Sequence, residues 1–242
     1  MGTDELGSDR HDRPDPGETI RRWWRREIVL FVVRTAILFV SAGRLDWLMG
    51  WVYVGVYVGS TLINGLVVVR DDPALAKERL DAGPGIKDWD RVLVLFAALL
   101  SVPGTLLVSG LDKRFGWSQN VPFALQIIAA LVDVLGIGLT LWAVASNTFF
   151  SGYVRIQEER GQTVVSSGPY AFVRHPGYLG AMVSCISTAL MLGSWWALVP
   201  VGLGTLGFVV RTVLEDTTLQ NELEGYKEYA ARVRYRLLPG IW

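Results

Sequence analysis

One cysteine, Cys185, and two histidines are all that the 242 residues contain. A single thiol cannot close an internal disulfide, and so few sulfur and imidazole ligands leave no metal cluster to expect. Net charge is missing as well, because 23 basic residues offset 23 acidic ones. No cationic surplus is offered to a nucleic acid, and no excess of either sign to a charged protein partner. His11 falls in a polar stretch, which leaves His175 as the histidine expected to be ordered. Residues 1–20 are poor in apolar side chains and rich in Asp, Gly, Pro and Arg, so they read as a disordered tail. No cleavable signal pattern is expected either, since the first apolar run starts only after Arg26 and reads as a retained helix.

What the chain does have is hydrophobic length. Hydrophobic residues make up 51% of it, ten of them tryptophan. They gather in six runs, at about 27–42, 45–69, 92–111, 121–145, 178–193 and 195–214, separated by short charged stretches. A bilayer core takes roughly 20 helical residues. The pattern predicts an all-α, polytopic integral membrane protein with about six transmembrane helices and no Rossmann domain. Three parts follow: the tail 1–20, a transmembrane part 21–145 with a cytoplasmic loop at 70–91, and a functional module 146–242.

Arginine and lysine set the expected orientation. Arg10, Arg13, Arg21, Arg22, Arg25 and Arg26 precede the first run, and Arg70, Lys77, Arg79, Lys87 and Arg91 follow the second. Arg155, Arg160 and Arg174 lie between the fourth and fifth, and Arg211, Lys227, Arg232, Arg234 and Arg236 end the chain. The opposite side keeps Arg44, Lys113 and Arg114. The positive-inside rule then puts both termini, the 70–91 loop and the 146–177 segment in the cytoplasm. Trp23-Trp24 and Trp195-Trp196 fit the aromatic belts of the two interfaces.

Several motifs carry a functional and a bland reading. Gly202-x-Gly204-x-x-Gly207 matches a dinucleotide fingerprint, but it lies mid-span, where small residues serve close helix packing instead. Gly55 and Gly59 invite the same packing reading. The stretch 153–180 joins turn residues (Ser166, Ser167, Gly168, Pro169) to Arg174-His175-Pro176 and then to Tyr178, which opens a helix. It suits either a ligand pocket or an ordinary interfacial loop. Arg211 and Glu215 are four apart and share a helix face, as an i,i+4 salt bridge or as part of a site. The end of the chain reads as an amphipathic helix from 217 to about 234, with an apolar end that lies back on the membrane. Arg34 and Asp133 are the mid-span ionisable residues, and they could pair with each other.

Taken together, Ser167-Gly-Pro-Tyr170, Arg174-His-Pro-x-Tyr-x-Gly180, Arg211-x-x-x-Glu215 and Gly225-Tyr-x-x-Tyr…Arg-Val-x-Tyr-Arg-Leu-Leu-Pro-Gly240 resemble the isoprenylcysteine carboxyl methyltransferase family. That family lies within a wider group that includes phospholipid methyltransferases. Coverage is good from about Asn147 to Trp242, and the loop 78–91 resembles bacterial members more weakly. The resemblance implies a membrane enzyme that uses S-adenosylmethionine on a lipophilic or prenylated acceptor. By residue, it implies cofactor contacts from Gln157, Gln162, Thr163, Val164, Val165, Tyr170, His175, Pro176, Gly177, Tyr178 and Glu215, with Arg211 facing the acceptor. Two departures stand out: Asp216 where the family has a second Glu, and Leu223-Glu-Gly-Tyr in place of Phe-Gly-x-x-Tyr.

The residue chemistry agrees with that implication. Methyl transfer from a sulfonium is an in-line displacement that needs alignment rather than a metal. Glu215 suits a ribose or an ammonium, and Arg211 suits a carboxylate through a two-point contact. Glu215 and Arg211 are therefore the expected catalytic pair. Other classes stay open. A phospholipid N-methyltransferase differs in its acceptor, and an NADPH-dependent sterol-type reductase would need positive charge for a 2′-phosphate. A transporter or scaffold would need ionisable residues facing each other mid-bilayer.

Overall fold

The structure is a computed structural model that describes residues 16–81, 83–119 and 121–242. The described residues contain helices and no strands. Residues 1–15 of the expected tail lie outside the description. From Pro16 the chain is helical, and α1 (Pro16–Ala42) begins four residues before the expected end of the tail. Proline fits the first turn, where no intrahelical N–H is needed, and Glu18 complements the positive end of the helix dipole.

The second run becomes α2 (Leu48–Ile63), which widens into π-helical turns at Asn64–Val69. A short α3 (Pro73–Leu80) lies in the loop, capped where Asp72 Oδ1 accepts from Leu75 N at 2.8 Å. The third run is continuous from α4 (Asp88–Leu99) through a π segment to α5 (Thr105–Phe115). Pro103 lies inside that π segment, where a wider turn accommodates a residue with no N–H to donate. The remaining runs form α6 (Phe123–Ser146), α7 (Pro176–Met191) and α8 (Leu198–Glu222). The expected tail helix from 217 to 234 is broken. Leu223 turns extended and Gly225 takes φ +78°, so only a short α9 (Tyr226–Arg232) follows.

Four helical stretches are long and apolar enough to cross a membrane: Leu48–Val67, Asp88–Phe115, Phe123–Ser146 and Leu198–Glu222. Helix α7 is apolar but shorter, and α1 mixes a charged first half with the apolar run that begins at Ile28. Large hydrophobic side chains face outward along these helices, with Val92 69% and Leu135 71% exposed. On helices of this length and apolarity, such a band suits contact with lipid. The protein is an all-helical integral membrane protein.

Small residues set the closest approaches. A Cβ on Gly180 of α7 would stand 2.6 Å from Gly136 O of α6, so the two backbones nearly touch. On α8, a Cβ on Gly204 would meet Ser101 Oγ at 2.6 Å. Within the Gly202-to-Gly207 motif, Gly204 and Gly207 therefore sit at helix contacts, as expected, while open space lies at Gly202. Gly55 and Gly59 do not, since open space lies where a Cβ would stand. Trp195 and Trp196 are exposed, in keeping with a belt, but Trp23 is fully buried against Val69 and Ala76.

Charge segregates by end. Arg114 Nε lies 3.4 Å from the Cβ position of Gly43, and Lys113 Nζ lies 5.9 Å from the Trp47 ring. At the other end Arg22 pairs with Asp81 at 2.7 Å, and Arg155 pairs with Glu78 at 2.7 Å. The late polar segments thus share an end of the bundle with the loop after α2.

Candidate active site

At that end a partly open cleft, with about 810 Å³ of empty space including its opening, lies between the 147–165 segment, the start of α7, the end of α8, and α9. Of the eleven residues expected to touch a cofactor, Gln157, Gln162, Thr163, Val164, Val165, Tyr170, His175, Gly177, Tyr178 and Glu215 line it. Pro176 does not line it and serves as the first residue of α7.

The 147–165 wall has no regular structure beyond a 3-10 turn at Glu158–Arg160. Side chains hold it. Gln157 N donates to Gln162 Oε1 at 2.8 Å. Gln157 Nε2 donates to Phe149 O at 2.7 Å, while its Oε1 accepts from Arg160 Nη1 at 2.6 Å. The Gln157 carboxamide is therefore occupied in shaping the wall. Behind it, buried Arg155 donates to both oxygens of buried Glu78 on α3, at 3.0 and 2.7 Å, and to Glu159 at 2.6 Å. The hydrogen bond to Glu78 raises the Arg155 pKa further, so this guanidinium stays charged.

Asp90 repeats the device. It is fully buried and accepts from Val154 N at 2.7 Å. It also accepts from Arg211, Nε to Oδ1 at 2.6 Å and Nη2 to Oδ2 at 3.1 Å. Arg211 Nη2 donates to Gly152 O at 2.8 Å, and its guanidinium lies 5.1 Å from the Tyr178 ring centroid. Arg211 does not line the cleft. Its two-point contact goes to Asp90, and the i,i+4 bridge to Glu215 is replaced by two separate partners. Glu215 accepts from Tyr178 Oη, and its carboxylate lies on the cleft wall.

Asp216, one residue on, does not line the cleft and is a buried hub. Arg174 donates to it at 2.8 and 3.0 Å, Arg236 Nε at 2.9 Å and Tyr226 Oη at 3.2 Å. Arg174 Nη1 also reaches the carbonyls of Ala230, Val233 and Arg234, at 3.3, 3.0 and 3.1 Å. The C-terminal segment is bound back onto the chain entering α7, where Arg174 N and His175 N donate to Tyr235 O and Arg236 O, each at 2.9 Å. His175 Nε2 stands 3.5 Å from Asp216 Oδ1, close enough for an ion pair but outside hydrogen-bond geometry. It is a buried polar atom without a hydrogen-bond partner, at the edge of the cleft. Its ring stacks parallel on Tyr178 at 5.7 Å.

The sequence reading missed half the lining. Phe149, Phe150, Tyr153, Leu219, Leu223, Tyr226 and Tyr229 add aromatic and apolar surface. Tyr226 and Tyr229 had a signal in the Gly-Tyr-x-x-Tyr motif, and Asn147 Nδ2 donates to Tyr170 Oη at 3.3 Å. Glu78 and Asp90 had a weaker one, at the two ends of the 78–91 loop that resembles bacterial members, but nothing in the sequence tied them to Arg155 and Arg211. Burial pushes the Tyr170, Tyr226 and Tyr229 phenols up, so they remain neutral donors rather than bases.

The fold and site together define a membrane-embedded helical bundle with a partly open polar and aromatic cleft at one end. Residues 125–224 match the phospholipid methyltransferase family. The protein-S-isoprenylcysteine O-methyltransferase of Dictyostelium discoideum is 29% identical, over 56% of this chain and 60% of that protein. A probable protein-S-isoprenylcysteine O-methyltransferase of Oryza sativa subsp. indica is 26% identical, over 57% of this chain and 70% of that protein. The chain thus spans about three fifths of the length of the first of these relatives. The matches bear out the resemblance to the membrane methyltransferases of these two related families, and the matched segment contains all the residues expected to hold the cofactor.

Proposed function

We propose that the protein transfers a methyl group from S-adenosylmethionine to a lipophilic acceptor, with the carboxylate of an isoprenylcysteine-like or isoprenoid molecule as first choice. The observation that carries the proposal is the convergence of Thr163, Val164, Val165, Tyr170, His175, Tyr178 and Glu215 on one cleft from three separate segments. The residues present fit the cofactor. Phe149, Phe150 and the tyrosines offer faces for an aromatic base, Glu215 offers a carboxylate for hydroxyl or ammonium groups, and His175 Nε2 is a buried polar atom open to a partner.

When bound, S-adenosylmethionine supplies the electrophilic methyl group. The chain contributes alignment, which needs a wall that does not yield. Arg155–Glu78 and Arg211–Asp90 fix the back of the 151–159 wall, and the Asp216 hub fixes the entry to α7. Tyr178 holds Glu215 in one orientation through its hydroxyl. Arg211 stays on the acceptor side of this reading, with the condition that a substrate carboxylate reaching it must compete with Asp90.

The match to the phospholipid methyltransferase family favours a second reading, a phospholipid amine acceptor. Incubation of membranes with methyl-labelled S-adenosylmethionine separates the two. A methyl ester releases labelled methanol in base, whereas an N-methylated head group keeps its label. Labelling that matches protein-free membranes would refute methyl transfer altogether.

A further inference from the structure

A second cavity lies between α1, α2, α6 and α7, with about 1230 Å³ of empty space including its opening. Arg34 and Asp133, the two mid-span ionisable groups expected to pair, both line it. No ion pair joins them among the described residues. Asp133 accepts instead from Ser184 Oγ at 2.5 Å and Thr188 Oγ1 at 3.4 Å. The Arg34 guanidinium lies 4.5 Å from the Tyr57 ring centroid. A ring face attracts a cation but accepts few of its five N–H donors.

The charges toward the loop end repeat this imbalance. Arg26 pairs with Glu27 at 2.9 Å, and Glu27 also accepts from Tyr57 Oη at 3.2 Å. Arg79 has Asn64 Oδ1 at 3.4 Å as its side-chain partner, and burial, reinforced by Arg26, lowers its pKa to about 10. Both acids lining the cavity therefore already have donors, while among the described residues no carboxylate forms an ion pair with Arg34 or Arg79. A guanidinium held among apolar helices is costly unless something polar satisfies it. The demand is for a negatively charged acceptor, and the cavity also offers an apolar lining.

We propose that this cavity binds an amphiphile with its anionic head, a carboxylate or a phosphate, on Arg34 and its apolar part along Leu30, Val56, Ile137 and Leu141. An apolar chain entering here need not leave the bilayer, which favours an amphiphile over a soluble anion. The site is separate from the cleft beyond the α6–α7 wall. Thr140 Oγ1, on this cavity, donates to Gly177 O, on the cleft, at 3.5 Å, and Val144 packs on Phe150 between them. It stands whether or not the cleft transfers methyl groups.

The test uses the full chain in detergent and three probes that share one oleoyl chain: oleate, oleoyl lysophosphatidate and uncharged mono-olein. At least one anionic probe should bind ten times more tightly than mono-olein, and the tighter of the two names the head group. Arg34→Gln should abolish that margin, and Arg34→Lys should keep part of it. Equal binding of all three probes, or a margin unchanged in Arg34→Gln, overturns the proposal. So does inorganic phosphate that competes as strongly as the amphiphiles. Cys185 lines the same cavity and gives a readout that needs no variant. The tight anionic probe should slow its modification by methyl methanethiosulfonate at least tenfold in the wild-type chain, and S-adenosylhomocysteine should not. Labelling that the probe leaves unslowed overturns the site.

Discussion

Removing Asp90 tests whether the first turn of α4 holds the cleft together. Its carboxylate is fully buried between Val154 N and the Arg211 guanidinium. Asp90→Ala leaves Arg211 charged and uncompensated in an interior where it keeps only Gly152 O as a hydrogen-bond acceptor. Breaking a buried ion pair from one side costs about 3–5 kcal/mol. Replacing both partners removes the uncompensated charge, so Asp90→Ala/Arg211→Leu should cost much less than the two single changes added together. A coupling of about 2 kcal/mol or more is expected. Unfolding by sodium dodecyl sulfate in mixed micelles measures all four corners of the cycle. In parallel, S-adenosylhomocysteine affinity should fall in Asp90→Ala and recover partly in the double variant, because Val154 lines the cleft. Additivity within about 0.5 kcal/mol would mean that the pair is incidental to stability.

Other outcomes follow from the same geometry. His175→Ala and Glu215→Gln should each weaken S-adenosylmethionine binding by calorimetry while leaving the fold intact. For Glu215 the lost charge-assisted hydrogen bonds are worth about 1.5–3 kcal/mol, and unchanged affinity would remove that residue from the cofactor site. Arg211→Lys keeps the charge but cannot make the planar contact to Asp90, so methyl transfer should fall; full activity would show that the guanidinium geometry is dispensable. Gly180→Ala should destabilise by about 1–3 kcal/mol or more, since its Cβ would press on the α6 backbone, and a neutral result would argue against the close α6–α7 contact. A reporter fused at residue 242 should read as cytoplasmic and a tag near residue 115 as external, and the reverse would overturn the charge-based orientation.

The sequence by itself determined the helical membrane class, four of the six run positions to within about four residues, and the segments that build the cleft. Hydrophobic runs, turn residues and arginine placement are local properties, and local properties survive in a linear reading. It also determined that Gly204 would serve packing, because a glycine fingerprint in mid-span has no strand to turn from. Partnership was decided by the tertiary structure. Arg211 and Glu215 share a helix face, yet one turns to Asp90, 121 residues away in sequence, and the other to Tyr178. Arg34 and Asp133 share a cavity without touching, because Ser184 and Thr188 on the neighbouring α7 already satisfy the acid. Trp23 turned inward although its sequence setting suited an interface. A charge seeks the nearest partner in space, and which partner is nearest depends on how helices distant in sequence pack. Spacing along the chain fixes only which groups share a helix face.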